Sequence, residues 1–305
     1  MRRLISAIGV SLLLAGAASA QDMPADYAAV LKSLGRTGDF KGNVLKVNIP
    51  REDLTVAVAG VVVPMPLGFG GWIAMTKGDG GMDVLMGDLV LTESEVNPVM
   101  SAVLNGGLDV TALHNHFFRD VPRVFYMHVH GMGTAAELAT KIRPALDLIG
   151  RDPFAVQAGT GSDLPAGPPP AAALTKIIGH PGEQTGPVYK ITIGRDDLAI
   201  KEMGATINAR MGLNTWAAFV GTDAEAALAG DVAMLESEMT PVLKALRSHG
   251  LNVVAIHHHM TNTQPTVFFL HYWGTGPADK LATGFKSALD ELDKSKTKSS
   301  ASAAK

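Results

Sequence analysis

The chain is written twice. Arg51-Glu52-Asp53-Leu54 corresponds to Arg195-Asp196-Asp197-Leu198, Lys46-Val47-Asn48-Ile49 to Lys190-Ile191-Thr192-Ile193, and Trp72 to Trp216, all at an offset of 144 residues. One residue is lost in the stretch 77–81, and the offset is 143 from there on. Gly87-Asp88 then matches Gly230-Asp231, Glu93 and Glu95 match Glu236 and Glu238, and His114, His116 and His128 match His257, His259 and His271. Chance does not hold one register over two such segments with a single gap. The units are far longer than the 20–50 residues of a solenoid repeat, so the duplication predicts a pseudo-two-fold pair of like units, neither of which need be stable alone.

The rest of the chain divides around the copies. Repeat 1 occupies 21–149 and repeat 2 occupies 171–292. The segment 150–170, with Gly-Thr-Gly-Ser and Ala-Gly-Pro-Pro-Pro, reads as a linker. After Leu292 the Lys/Ser/Ala-rich run 293–305 predicts a disordered tail. Residues 1–20 read as a secretory signal: Arg2 and Arg3, an apolar run, then the small-x-small site Ala18-Ser19-Ala20. A periplasmic or secreted location is therefore expected. No later stretch is long enough to span a bilayer, and with no Cys there is no lipid-anchor, disulfide or thiolate-metal chemistry. A net charge of −3 leaves no electrostatic footprint for nucleic acid. The partners left are a metal ion and a small molecule or cell-envelope component.

Within each unit the pattern is strands, helix, two strands, helix. A short opening helix is expected at 27–34 and at 171–178, and a strand at 44–49 and at 188–193. β-rich runs bounded by Gly, Pro and Asp follow at 54–63, 71–77 and 82–91. Val96, Val99, Met100, Val103 and Leu104 recur at helical spacing before Gly106-Gly107. Two further strands, 109–116 and 121–130, form an expected hairpin, and Thr134 with Glu137 opens a closing helix as a capping box. Runs of strands broken by few helices predict an α+β fold with a mostly antiparallel sheet and two main helices per repeat.

Ten histidines are present, and seven belong to two corresponding clusters: His114, His116, His128 and His130 in repeat 1, and His257, His259 and His271 in repeat 2. Residues two apart on a strand share a face, and neighbouring strands bring their side chains within reach. The spacing thus predicts one cluster of imidazoles per repeat, suited to a divalent transition ion, zinc first. Trp273 stands where repeat 1 has His130. Glu93 and Glu95 precede the histidine strands and are candidate catalytic bases or ligands; helix capping is their plainer role. Leu235 in place of Thr92 makes capping an incomplete account of the glutamates. Asn115, Asp120 and Arg123 are peculiar to repeat 1, so repeat 1 is the richer candidate for chemistry. Trp72 and Trp216 read as core or interface anchors. The chain has no nucleophile elbow, zincin motif or P-loop.

The run Gly-Leu-Asp-Val-Thr-Ala-Leu-His-Asn-His at 107–116, with Pro-Arg-Val-Phe-Tyr-Met-His at 122–128, resembles the LppY/LpqO family of exported bacterial proteins. So does Leu-Asn-Val-Val-Ala-Ile-His-His-His at 251–259 with Phe-Phe-Leu-His at 268–271. The resemblance spans nearly the whole chain after the leader and implies export, but it transfers no reaction. Three functions stay open: a metal-dependent hydrolase, a transition-metal buffer, and a partner-binding module with packed histidines. A cluster that faces a water-filled cleft favours the first; one closed by a fourth ligand favours the second.

Overall fold

The computed structural model describes residues 21–151, 161–164 and 169–303. The leader at 1–20 and most of the linker lie outside the described residues. Repeat 1 runs α1 (Ala25–Leu34), β1 (Gly38–Lys41), β2 (Val44–Pro50), β3 (Val56–Val58), β4 (Val61–Val63), β5 (Gly70–Lys77), β6 (Asp83–Thr92), α2 (Glu93–Asn105), β7 (Asp109–His114), β8 (Asp120–Val121), β9 (Val124–Gly133) and α3 (Ala135–Leu146). A two-residue strand in the linker, β10 (Ser162–Asp163), pairs in parallel with β4. Repeat 2 follows with α4 (Ala171–Ile178), β11 (Glu183–Thr185), β12 (Val188–Gly194), β13 (Lys201–Glu202), β14 (Ala205–Thr206), β15 (Asn214–Gly221), β16 (Ala226–Leu235), α5 (Glu236–Ser248), β17 (Asn252–His257), β18 (Val267–Gly276) and α6 (Ala278–Ala303).

Each repeat builds one six-stranded sheet, ordered β1-β2-β5-β6-β9-β7 and β11-β12-β15-β16-β18-β17. Every neighbouring pair in these two sheets is antiparallel. The α+β reading with two like halves therefore holds. The paired strands β7 and β9 are joined through β8, which leaves to pair with β3. The strand also ends at His114, so His116 stands just beyond it. Two-residue turns close the small hairpins at Ala59-Gly60 and Met203-Gly204, with both residues of each pair at positive φ. That backbone matches strand twist and explains why glycine recurs at the second position.

Strand side chains alternate, and both faces of each sheet are used. On one face of sheet 1, Val47, Ile73, Leu85, Leu89 and Val129 pack beneath α1, α2 and α3. Sheet 2 does the same with α4, α5 and α6. The other faces meet each other. Val44, Ala74 and Met86 pack with Met211, Ala233 and Phe269, and Val90, Phe117 and Tyr126 pack with Ala218, Ala229 and Trp273. The order of layers is helices, sheet, sheet, helices. Burial on both faces explains why β6 and β16 are buried along almost their whole length; such strands read as continuous apolar runs rather than alternating ones.

The last helix extends beyond the second repeat. Backbone helix continues through Ala303, over the polar residues predicted to be disordered. The run 293–303 contains no Gly or Pro, and Lys and Ala are good helix formers, so the preceding turns propagate into it. Among the described residues no helix is long and apolar enough to cross a membrane.

Candidate metal centre and cleft

The inner faces of the sheets carry polar rows. Asn48, Trp72, Asp88 and His128 are successive cross-strand partners on β2, β5, β6 and β9. Thr192, Trp216, Asp231 and His271 form the equivalent row in repeat 2. Lys46 and Lys190 lie two residues along from Asn48 and Thr192 and so share that face.

Six histidines converge where the rows meet. The predicted arrangement of one cluster in each repeat is not what forms: the copies pool their imidazoles across the pseudo-two-fold. His114 stacks on His257 with ring centres 3.8 Å apart. His116 of repeat 1 lies 3.5 Å from His271 of repeat 2, and His128 lies 4.1 Å from His259. Two groups of three have ligand nitrogens all within 4.8 Å of one another: His114, His257 and His271, and His128, His257 and His259. Both groups draw on both repeats, and both use His257. These groups could hold a metal ion.

The electrostatics keep the imidazoles neutral. Burial pushes His114 down to about 3 and the other five imidazoles well below their ordinary value, and the neighbouring histidines add repulsion at those five. Neutral imidazole is the form that binds metal. In His128 and His271, Nδ1 lies 3.2 Å from the carbonyls of Gly87 and Gly230. An Nδ1–H donated to each carbonyl leaves Nε2 with a lone pair for an ion, the usual orienting device of a ligand histidine. Those two Nε2 atoms, and both ring nitrogens of His114, His116 and His257, are buried without a hydrogen-bond partner. A buried polar atom left unpaired costs about 1–3 kcal/mol; a shared ion relieves several such costs together.

The remaining predicted site residues stand apart from the cluster. His130 is buried with neither ring nitrogen hydrogen-bonded, and its Nδ1 is 3.5 Å from Glu202 on β13, an inter-repeat contact outside the six. Glu93 is exposed. Glu95 is buried and fully occupied: it takes Arg51 at 2.6 and 3.2 Å and accepts from the Thr92 and Gly150 amides. Glu238 repeats this with Arg195 and the Leu235 amide. The glutamate caps through a backbone N–H, which Leu235 supplies as well as Thr92 does. Neither Glu93 nor Glu95 is therefore placed to act as catalytic base. Asn115 and Asp120 serve the loop, bonding Val124 at 3.0 and 2.7 Å, and Arg123 is exposed.

The carboxylates that do face the histidines are Asp88 and Asp231. Asp231 Oδ2 is 3.7 Å from His259 Nε2. Oδ1 of Asp88 is buried with no partner. Burial drives the two carboxyls up to about 7 and about 8. A cleft of about 500 Å³ opens onto this region, lined by both aspartates, His116, His259, Lys46, Lys190 and the two tryptophans. The signal for these residues was present in the duplication, since Lys, Trp and Asp are each identical in both copies at sheet positions. A hydrophobic pattern gives no reason for a repeated Lys or Asp in a buried strand.

Comparisons with known proteins add a family but no activity. No curated protein matches the chain. Among solved structures, EtuB from Clostridium kluyveri overlaps 85% of this chain and 92% of its own, at 10% identity and a TM-score of 0.21. A trimeric bacterial microcompartment shell protein, PduB, overlaps 83% and 88%, at 10% identity and a TM-score of 0.20. At such scores neither fold nor function carries over. One family model matches both repeats, over residues 28–148 and 172–291. The chain thus belongs to the family described as a Domain of Unknown Function (DUF1259), and it carries that domain twice.

Proposed function

We propose that this chain is an exported metal-dependent hydrolase whose ion, zinc first, is held by imidazoles from both repeats. One observation carries the reading: His116 and His259 border both the imidazole cluster and the cleft. A buffering site is closed by its ligands, whereas a catalytic site keeps a position open to water or substrate. Three neutral imidazoles would leave such an ion Lewis-acidic, and the ion would supply activation of water for hydrolysis. Asp88 takes the role of base that the sequence suggested for a glutamate, because its free Oδ1 faces the cleft side of the sheet. The leader pattern and the resemblance to LppY/LpqO proteins support export.

The test is metal analysis of the full chain purified from the periplasm, beside a His114→Ala/His116→Ala variant. The expected result is at least about one equivalent of a divalent transition metal, set by two overlapping three-histidine groups, with a clear loss in the variant. Absence of metal after incubation with zinc, copper, manganese or iron ions overturns the reading. Metal bound without exchange, and inert to hydrolase substrates, favours the buffering alternative.

A further inference from the structure

The metal reading leaves two cations unexplained. Lys46 Nζ sits 4.3 Å above the Trp72 ring, and Lys190 Nζ sits 4.1 Å above Trp216. Both border the cleft. Among the described residues, neither ammonium donates a hydrogen bond or has a carboxylate oxygen within 4.0 Å. A cation over an indole gains about 0.5–2 kcal/mol, less than the several kcal/mol that desolvating an ion costs. The ring contact alone therefore does not account for a paired, half-buried ammonium on each side of one cleft. A third cation, Arg210, borders the same space with its Nε buried and unpartnered, while its Nη2 holds Asp39 at 2.7 Å. Desolvation and repulsion from Lys190 and Arg210 act against the charge on Lys46, and Asp88 and Asp39 offset this in part without a direct ion pair. Its volume of about 500 Å³ is that of a small-molecule site.

We propose that the cleft binds a small organic oxyanion, a molecule bearing a phosphate or carboxylate group, with that group held between Lys46 and Lys190 and its uncharged body against Trp72 and Trp216. This names the substrate class for the metal reading and rests on that reading for the reaction. The binding itself rests on the lysines alone, since neither is a candidate metal ligand.

The experiment is calorimetric titration of the full chain with inorganic phosphate and with malonate, with malonamide as the uncharged control. Metal content is measured on the same samples. The expected result is saturable binding of at least one of the two anions, with the tighter one assigning the head group, and no binding of malonamide. A Lys46→Met/Lys190→Met variant should bind at least about tenfold more weakly with unchanged metal content, the loss expected for removal of charged contacts. Binding of neither anion by the wild-type protein overturns the proposal, as does binding that survives the double substitution. If the variant does not fold, equal binding of malonate and malonamide by the wild-type chain overturns it equally well. Anion binding that persists in metal-stripped protein supports the lysine site, and a chain that takes up no metal on incubation yet binds the anion sinks the metal reading alone.

Discussion

Two sets of polar residues are buried in this molecule, and both occur in each repeat. Buried Arg51 and Glu95, with the exposed Asp53, lie near the start of α2, and the one guanidinium bonds both carboxylates. The histidines lie on the inner face of the sheets, meet both within and across the repeats, and keep ring nitrogens without partners. Both are repetitions of costly residues in dry places, so repetition alone does not say which is machinery. Hydrogen-bond accounting does. A saturated network rigidifies the fold, whereas buried atoms without partners mark a place for something else to bind.

That contrast can be broken by experiment. The largest effect is expected from His257→Ala, because both three-histidine groups use that ring. Metal affinity should fall by at least about 100-fold, since loss even of a residue that merely orients a ligand costs 10–100-fold. Retention of full metal by that variant, measured by atomic emission, would erase the distinction. Next comes Glu95→Ala, which strands a buried guanidinium. It should destabilise the protein by about 3–5 kcal/mol in urea unfolding, while the folded fraction keeps its metal. Unchanged stability together with lost metal would move Glu95 to the other side of the comparison.

Acid should sharpen it further. The six imidazoles are held neutral by burial, so the unfolded chain binds more protons than the folded one below the ordinary histidine pKa of about 6.5. Stability of the metal-free protein is therefore present above that pH and is lost as the pH falls below it. Asp88 and Asp231, raised by burial, work the opposite way but are outnumbered. A metal-free melting temperature that stays flat between pH 7 and 5 would contradict the burial of the cluster. The smallest effect is expected from His130→Ala, with metal content intact and a stability loss of about 1 kcal/mol.

The fold was largely legible because duplication and periodicity are local properties of sequence. The opening helix Ala171–Ile178 and the capping box at Thr134 follow from residue order alone. The site was legible only in its parts. His114, His116 and His128 could be marked, yet their partners lie in the other copy, and no spacing within one repeat encodes a face that meets its twin. His130 was included because it shares a strand face with His128, but one step along β9 moves it from the cluster to Glu202. The capping role of Glu95 was legible, but its ion pair was not, because Arg51 is distant in sequence. Asp88 stayed hidden inside an apolar strand.

The tethering of the two copies has an evolutionary corollary. In a homodimer of one such domain, every substitution near the axis would appear twice, and the site could change only symmetrically. One continuous chain removes that constraint. Trp273 opposite His130, and His258 opposite Asn115, are differences that an identical pair could never have held. A centre assembled from both halves can thus be altered one ligand at a time while the scaffold around it stays duplicated.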